Sequence, residues 1–309
     1  MFAVPPITEA TIFTSLPDHL RMHGEPSEWR DGQPGRQPEH SLLEAPAFDR
    51  NGNIWCVDIA YGRLFRVSPD GQFEVMITYD GEPNGLAFHA DGRLFVADYR
   101  HGIMVFDPTS RRIAPFLQRH QLERLKAVND LTFSSTGDLY FTDQGMTGLH
   151  DPTGRVFRVR ADGSVELLLP NAPSPNGLVL SPDEQTLYVA MTRGNAVWRV
   201  PLLPGGGVAK VGLFVQLSGG IGPDGLAIDR EGRLAICHIG LGTIWLMSPR
   251  GEPTGRIVSP TGLHTTNVAF GGAERRELFI TEAETGTLLR APVEVPGLEL
   301  FGDKTAAPE

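Results

Sequence analysis

The stretch EPNGLAFHADGRLFVAD, residues 82–98, contains two apolar segments separated by an Asp-Gly pair. Such a pair between apolar segments is a strong signal for a β-hairpin. Five further stretches share this plan and begin at residues 44, 128, 174, 222 and 265. Their matching apolar positions are Phe48, Phe88, Phe133, Leu180, Ile228 and Phe270. The successive spacings of 40, 45, 47, 48 and 42 residues match the period of roughly 40 to 50 residues that is typical of a β-propeller.

Each repeat continues with a third apolar segment and a weaker fourth, as in GRLFRVSPDG from residue 62 followed by FEVMITY. The 36 glycines and 25 prolines among 309 residues fit many tight turns between short strands. We therefore predict an all-β fold, a six-bladed β-propeller with four-stranded antiparallel blades around a central channel. Residues 1–309 are expected to form this single domain. Because the sixth repeat lacks a clear fourth strand, the N-terminal segment around residues 10–13 is expected to supply it.

The overall composition narrows the range of partners. With 27 basic and 37 acidic residues the net charge is −10, which argues against a nucleic-acid partner. No signal-peptide pattern opens the chain, and no apolar run approaches the ~18 residues of a membrane helix. We expect a cytoplasmic protein without membrane attachment that acts on a small molecule. Two cysteines, Cys56 and Cys237, are too few for a disulfide framework.

Residues 18–41 do not fit the repeat. They are polar and contain glycine, proline, several charges and Trp29. A surface loop is one interpretation, and a lid over one face of the ring is the other, because long loops without strands of their own are often functional.

A polar residue stands four positions before each matched apolar residue. Since the first strand of every blade lines the channel of a propeller, these six side chains are expected to meet at one rim. Two carboxylates among amides and a hydroxyl favour a hard divalent cation, Ca²⁺ ahead of Mg²⁺. A water-filled polar channel is the alternative interpretation. The six residues are Glu44, Asn84, Asn129, Asn176, Asp224 and Thr266.

The ends of the second strands return to the same rim and carry a second polar set. Aspartates at such positions commonly accept backbone hydrogen bonds in turns. His238 is interpreted as a buried, hydrogen-bonded histidine rather than a catalytic one. The chain contains no Gly-x-Ser-x-Gly elbow, no His-Glu-x-x-His pair and no phosphate-binding loop. The second set is Asp58, Asp98, Asp143, Thr192, His238 and Glu282.

Several of these residues stand in motifs that resemble a known family. The motifs Glu44-Ala-Pro, Val128-Asn-Asp, Ser174-Pro-Asn-Gly and Gly222-Pro-Asp-Gly-Leu look like those of the gluconolactonase, regucalcin (senescence marker protein) and luciferin-regenerating-enzyme family. The resemblance covers roughly residues 42–293. It implies a six-bladed propeller with one catalytic divalent cation on the axis, held by Glu44, Asn129, Asn176 and Asp224. Asp224 matches the residue to which the family gives the role of general base, or of nucleophile in the diisopropyl fluorophosphatase relatives.

The chain departs from the family pattern at two positions. Ala45 stands where the family often has glycine, and the carboxylate before it is retained. Ala127 stands where regucalcin-type gluconolactonases have an arginine, with Lys126 beside it. This second departure leaves the sugar-lactone specificity open. The candidate substrate contacts are Asn84, Lys126, His264 and Asn267.

The expected function is that of a metal-dependent lactonase, a gluconolactonase-like carboxylic-ester hydrolase. The cation polarises the lactone carbonyl, and Asp224 accepts a proton from the attacking water. Ca²⁺ is the expected ion, with Mg²⁺, Mn²⁺ and Zn²⁺ as alternatives. Two other functions remain open from the sequence: phosphotriester hydrolysis on the same metal, and calcium binding without catalysis.

Overall fold

The computed structural model describes residues 4–35 and 37–304. The blades are six sheets in which consecutive strands pair antiparallel. The first strand of each blade contacts the first strand of the next, and the first strand of the sixth blade contacts that of the first. These six inner strands therefore enclose a central channel. The predicted all-β, six-bladed propeller is confirmed.

The strands of the blades are as follows. Blade one has Leu43–Phe48, Ile54–Asp58, Arg63–Val67 and Phe73–Thr78; blade two has Pro83–Phe88, Leu94–Asp98, Gly102–Asp107 and Arg112–Leu117; blade three has Val128–Phe133, Leu139–Asp143, Gly154–Val159 and Val165–Ala172. Blade four has Pro175–Leu180, Thr186–Met191, Ala196–Pro201 and Gly212–Gln216; blade five has Gly222–Ile228, Leu234–Ile239, Thr243–Met247 and Pro253–Val258; blade six has Thr265–Gly271, Glu277–Glu282, Thr287–Pro292 and Thr11–Ser15.

The remaining elements are short. A two-stranded hairpin, Arg119–His120 with Glu123–Arg124, joins blades two and three. The described part of the chain has one α-helix, Glu28–Gly32, which is not long and apolar enough to cross a membrane. The 3-10 turns are Asp18–Leu20, Ile59–Tyr61, Thr192–Gly194, Ala273–Arg275 and Phe301–Asp303.

The N-terminal segment joins the last two blades. Thr11–Ser15 pairs antiparallel with Thr287–Pro292 and supplies the fourth strand of blade six. Ile7–Glu9 pairs in parallel with Pro253–Val258, so blade five gains a fifth strand that sequence analysis does not anticipate. One segment of the chain therefore covers the outer edges of two neighbouring blades.

The core consists of six apolar clusters, one at each contact between neighbouring blades. Between blades one and two, the fully buried Trp55 contacts Phe88 and Phe106 with ring centroids 5.7 and 5.9 Å apart. Between blades six and one, Phe279 contacts Phe48 with a centroid distance of 5.1 Å. Every blade thus buries both faces against its neighbours, and an incomplete ring would expose two apolar faces to water.

A β-bulge interrupts the pairing of every inner strand near the same rim. The register shifts between Glu44 and Ala47 in blade one, and at the equivalent place in the other five blades. Because a bulge bends a strand and redirects its side chains, it can turn the residue at the rim toward the channel. Threonine hydroxyls then tie neighbouring blades together at this level, as where Thr142 Oγ1 donates to the carbonyl of Asn176 at 2.9 Å.

Candidate metal centre

The six rim residues lie in one place. All of them are buried, with at most 7% of each residue exposed, and all line a single cavity of about 1060 Å³ at one end of the channel. The structure thus brings together four repeat positions that the family resemblance assigns as ligands and two that it does not. The six residues are Glu44, Asn84, Asn129, Asn176, Asp224 and Thr266.

The side chain of Glu44 is positioned by a hydrogen bond from Asn267. The side-chain amide of Asn267 donates to Glu44 Oε2 at 2.9 Å, and the backbone N–H of Ala45 donates to the same oxygen. Burial raises the pKa of Glu44 well above its usual range, and the nearby carboxylates Asp224 and Asp130 raise it further. Ala45, at the bulge, has a φ of 53°, a left-handed conformation that favours glycine.

Asp224 enters the cavity from blade five. The carbonyl of Pro223, the preceding residue, accepts a hydrogen bond of 2.8 Å from the Thr192 hydroxyl of blade four, which fixes the strand at this point. Burial raises the pKa of Asp224 to about 8, with a further contribution from Asp130, while a hydrogen bond from Asn176 opposes the shift. The positive charge of Arg193 also opposes the rise in the pKa of Asp224 but does not cancel it, so a cation bound beside Asp224 would favour the ionised form further.

The hydrogen bonds of the Asn129 side chain test whether a cation fits this site. Its amide nitrogen donates to the Tyr99 hydroxyl and to Gln144 Oε1, both at 3.2 Å. These two acceptors fix the amide, and its Oδ1 atom is buried with no hydrogen-bond partner among the residues that the structure describes. An unpaired buried acceptor costs about 1–3 kcal/mol, and a bound cation would satisfy it.

The charges of the site also favour a bound cation. In the part of the chain that the structure describes, neither Glu44 nor Asp224 forms an ion pair with arginine, lysine or histidine. Within residues 4–35 and 37–304, no three His, Cys, Asp or Glu side chains form a metal-binding group. A cation site here therefore depends on amide oxygens as well as on two carboxylates. That donor set is all oxygen and suits a hard divalent cation.

A second layer lies one residue further along each inner strand, and sequence analysis does not identify it. It consists of Ala45, Gly85, Asp130, Gly177, Gly225 and Asn267. The two polar members fit because glycines face them. A Cβ on Gly85 would lie 2.6 Å from Asp130 Oδ1, and one on Gly225 would lie 2.0 Å from Asn267 Oδ1. Burial raises the pKa of Asp130 to about 7, although a hydrogen bond from Asn267 opposes the shift.

The expected substrate contacts divide into two groups. Asn84 and His264 line the cavity. Lys126 does not belong to its lining, because its ammonium group donates to the carbonyl and hydroxyl oxygens of Thr153, both at 2.7 Å. Asn267 lies in the second layer, outside the lining of this cavity, and donates to Glu44. The sequence repeat predicts on which strand a residue lies, but the β-bulge determines which of two adjacent residues on that strand faces the cavity.

Other residues of the cavity lie outside the quoted motifs. Tyr99 and Gln144 follow the second strands of blades two and three and connect to Asn129. From the segment 18–41, Trp29 and residues 32–35 and 37 contribute to the wall. Trp29 contacts Tyr99 edge-to-face, with centroids 6.4 Å apart. This segment is fastened to blade one by a 2.7 Å hydrogen bond from Ser27 Oγ to the carbonyl of Ala60.

The second polar set stabilises the rim. Asp58 pairs with Arg63 and accepts from the backbone N–H of Leu42. Asp143 pairs with Arg155 and accepts from the backbone N–H groups of the two residues that precede the inner strand of blade three. His238 is fully buried, with Nε2 2.9 Å from the carbonyl oxygen of Gly219, and Nδ1 accepts from the indole of Trp245. These contacts agree with structural roles.

Comparison with known proteins agrees with this architecture. The model of the SMP-30/gluconolactonase/LRE-like region matches residues 42–284. The lactonase drp35 of Staphylococcus aureus (strain bovine RF122 / ET3-1) is 30% identical over 230 residues, which cover 71% of this chain and 70% of that protein. The gluconolactonase of Zymomonas mobilis is 30% identical over 280 residues, covering 80% of this chain and 78% of its own.

A solved structure extends the comparison to the whole propeller. The structure of a gluconolactonase from Xanthomonas campestris superimposes with a TM-score of 0.73 at 25% identity, and the match covers 95% of this chain and 99% of the other. The matched family region includes all four candidate ligands and the six inner strands. The chain belongs to the SMP-30/gluconolactonase/LRE-like family.

Proposed function

We propose that the protein is a divalent-metal-dependent hydrolase that opens the ring of a small lactone. The observation that carries the proposal is the buried Oδ1 of Asn129, which has no hydrogen-bond partner among the described residues and lies in one cavity with two buried carboxylates. Neither carboxylate forms an ion pair within those residues, and the charge of Arg193 offsets only part of the cost of burial at Asp224. Two relatives at 30% identity are named as a lactonase and a gluconolactonase, which supports the choice of a cyclic ester as substrate.

Glu44, Asn129, Asn176 and Asp224 would hold the cation. Ca²⁺ is the preferred ion because all four side chains offer oxygen and two of them are amides. Mg²⁺, Mn²⁺ and Zn²⁺ are the alternatives. When bound, such an ion supplies a Lewis acid that polarises a carbonyl oxygen. The raised pKa values of Glu44 and Asp224 describe carboxylates whose ionised form a nearby positive charge would stabilise.

Asp224 is proposed as the general base. Its carboxylate takes a proton from water while the water oxygen bonds to the lactone carbonyl carbon. The ring C–O bond then breaks, and the same proton passes to the alkoxide oxygen that leaves. The product is the open-chain hydroxy acid, so the overall change is the addition of one water. A correctly placed base contributes about 10²- to 10⁴-fold to the rate.

The other lining residues would orient the substrate. Asn84 and His264 line the same cavity as the proposed base. Trp29 and residues 32–35 and 37 form one wall. We therefore propose that the segment 18–41 covers the bound substrate rather than forming an unrelated surface loop. Asn267 is proposed to position Glu44 through its 2.9 Å hydrogen bond instead of contacting the substrate.

A chelation experiment tests the proposal. Five- and six-membered lactones and a phosphotriester are each supplied to protein treated with chelator and to protein reloaded with Ca²⁺, Mg²⁺, Mn²⁺ or Zn²⁺. Ring opening is measured by pH-stat titration of the released acid, and we expect it only in metal-loaded protein. Phosphotriester hydrolysis without lactonase activity would reassign the reaction, and metal binding without hydrolysis of either class would leave a binding protein. Full lactonase activity in metal-free protein would overturn the metal-dependent mechanism.

A further inference from the structure

Among the described residues that line the cavity, one side chain is permanently positive, that of Arg193. It follows Thr192 at the rim of blade four, in the 3-10 turn Thr192–Gly194. The other lining residues are apolar, amide, hydroxyl or histidine side chains apart from the carboxylates Glu44 and Asp224. Within the described lining, Arg193 is thus the sole arginine or lysine.

The guanidinium group of Arg193 is available to a ligand. In the described residues it forms neither a hydrogen bond nor an ion pair, whereas Arg63, Arg100 and Arg155 at the same rim all pair with carboxylates. Arg193 is also exposed to solvent. An unpaired arginine in a substrate cavity is well suited to a carboxylate, because its planar fork binds both oxygens.

The backbone beneath Arg193 is fixed. The N–H of Thr192 donates to the carbonyl of Ser174 at 3.0 Å, and its hydroxyl donates to the carbonyl of Pro223 at 2.8 Å. The turn closes where Asn195, with φ of 48°, donates its N–H to the carbonyl of Thr192 at 3.1 Å. Arg193 therefore starts from a rigid point next to the strand that carries Asp224, and its side chain reaches over the same cavity.

The charge balance favours an anionic substrate. A divalent cation held by Glu44 and Asp224 would cancel their two negative charges, and Arg193 would supply the remaining fixed charge of the lining that the structure describes. The whole chain carries a net charge of −10, so an anion needs a local positive charge to be held.

We propose that the substrate is a lactone that carries a carboxylate substituent, and that Arg193 recognises this carboxylate. The inference rests on the proposed lactone hydrolysis and specifies its substrate class. The cyclic ester would lie at the floor of the cavity near Asp224, and the carboxylate would point toward the rim of blade four. A hydrogen-bonded charge pair of this kind corresponds to about 10-fold or more in affinity.

The test compares two lactones that differ in one group, 5-oxotetrahydrofuran-2-carboxylate and γ-valerolactone. Arg193→Gln is compared with wild type, and Arg199→Gln serves as control, since Arg199 lies in the same blade outside the cavity. We expect Arg193→Gln to lower kcat/KM for the carboxylate lactone about 10-fold or more relative to kcat/KM for γ-valerolactone, and to do so through KM. Arg193→Lys should recover part of the loss. An equal effect of Arg193→Gln on both lactones, or no effect on either, would overturn the inference.

A binding measurement separates this inference from the hydrolase proposal. Calorimetry with the lactams 5-oxoproline and 5-methyl-2-pyrrolidinone needs no turnover. Wild-type protein should bind the carboxylate lactam about 10-fold or more tightly than its neutral partner, and Arg193→Gln should abolish the difference. Retention of this difference in Arg193→Gln, or its absence from wild type, would reject carboxylate recognition. If neither lactone is hydrolysed but the lactam preference depends on Arg193, the hydrolase proposal fails and the recognition site stands.

Discussion

At the scale of single residues, the second layer of the channel shows how glycines permit a polar network. Gly225 has no room for a side chain, because a Cβ there would lie 2.0 Å from Oδ1 of Asn267 and 2.6 Å from its Cα. Asn267 in turn positions Glu44 through a 2.9 Å hydrogen bond. The absence of one methyl group in blade five therefore affects a candidate ligand in blade one.

Gly225→Ala is expected to destabilise the protein and to weaken metal binding together. Overpacking of this kind costs about 1–3 kcal/mol, and displacement of a group that orients a ligand typically costs about 10- to 100-fold in metal affinity. Denaturant unfolding and calorimetric Ca²⁺ titration measure the two effects. Gly205→Ala is the control, because nothing lies within 4 Å of a Cβ there, and it should change neither quantity. Normal Ca²⁺ affinity in Gly225→Ala would argue against the role of Asn267.

At the scale of strands, the N-terminal segment protects two open sheet edges. Thr11–Ser15 covers blade six, and Ile7–Glu9 covers blade five. The buried residues Ala10 and Leu16 flank Thr11–Ser15 and belong to two different core clusters. Removing the segment would leave two unpaired edges, and unpaired edges promote association between molecules.

We expect removal of residues 1–15 to lower the unfolding temperature and to cause aggregation. The physical reason is the loss of both strand pairings and of the edge-to-face contact between Phe13 and Phe279, whose centroids are 5.3 Å apart. Differential scanning calorimetry and size-exclusion chromatography give the measurements. Removal of residues 1–5, which precede both strands, is the control and should behave as wild type. A monomeric protein of unchanged stability after the longer truncation would contradict the proposed closure.

At the scale of the whole molecule, the repeat made both the fold and the rim residues predictable. A period of 40 to 48 residues fixed the number of blades, and counting back from Phe88 or Ile228 led to residues that line one cavity. Asp130 and Asn267 were harder to interpret, because a bulge shifts the register by a local distortion that leaves no mark in the spacing. Ile7–Glu9 was missed since three exposed residues carry no periodic pattern.

The contacts of long side chains were also beyond the reach of the repeat. Lys126 lies two residues before the inner strand of blade three, yet its ammonium group donates to Thr153 rather than facing the cavity. Tyr99 and Gln144 enter the cavity from turns after the second strands, where the repeats no longer resemble one another. Such directions depend on the packing of neighbouring blades, which the local sequence does not encode.

The central claim is that Asp224 acts as a base as well as a ligand, and one measurement addresses it directly. The lactone hydrolysis rates of Asp224→Asn and Glu44→Gln are measured at Ca²⁺ concentrations that saturate each variant, as established by calorimetry. Both changes remove one negative charge and keep a coordinating oxygen, so they serve as matched controls for each other. We expect Glu44→Gln to recover part of its rate, and Asp224→Asn to remain about 10²- to 10⁴-fold below wild type because an amide accepts no proton. Recovery of Asp224→Asn to the level of Glu44→Gln would show that Asp224 is a ligand only and would contradict the mechanism.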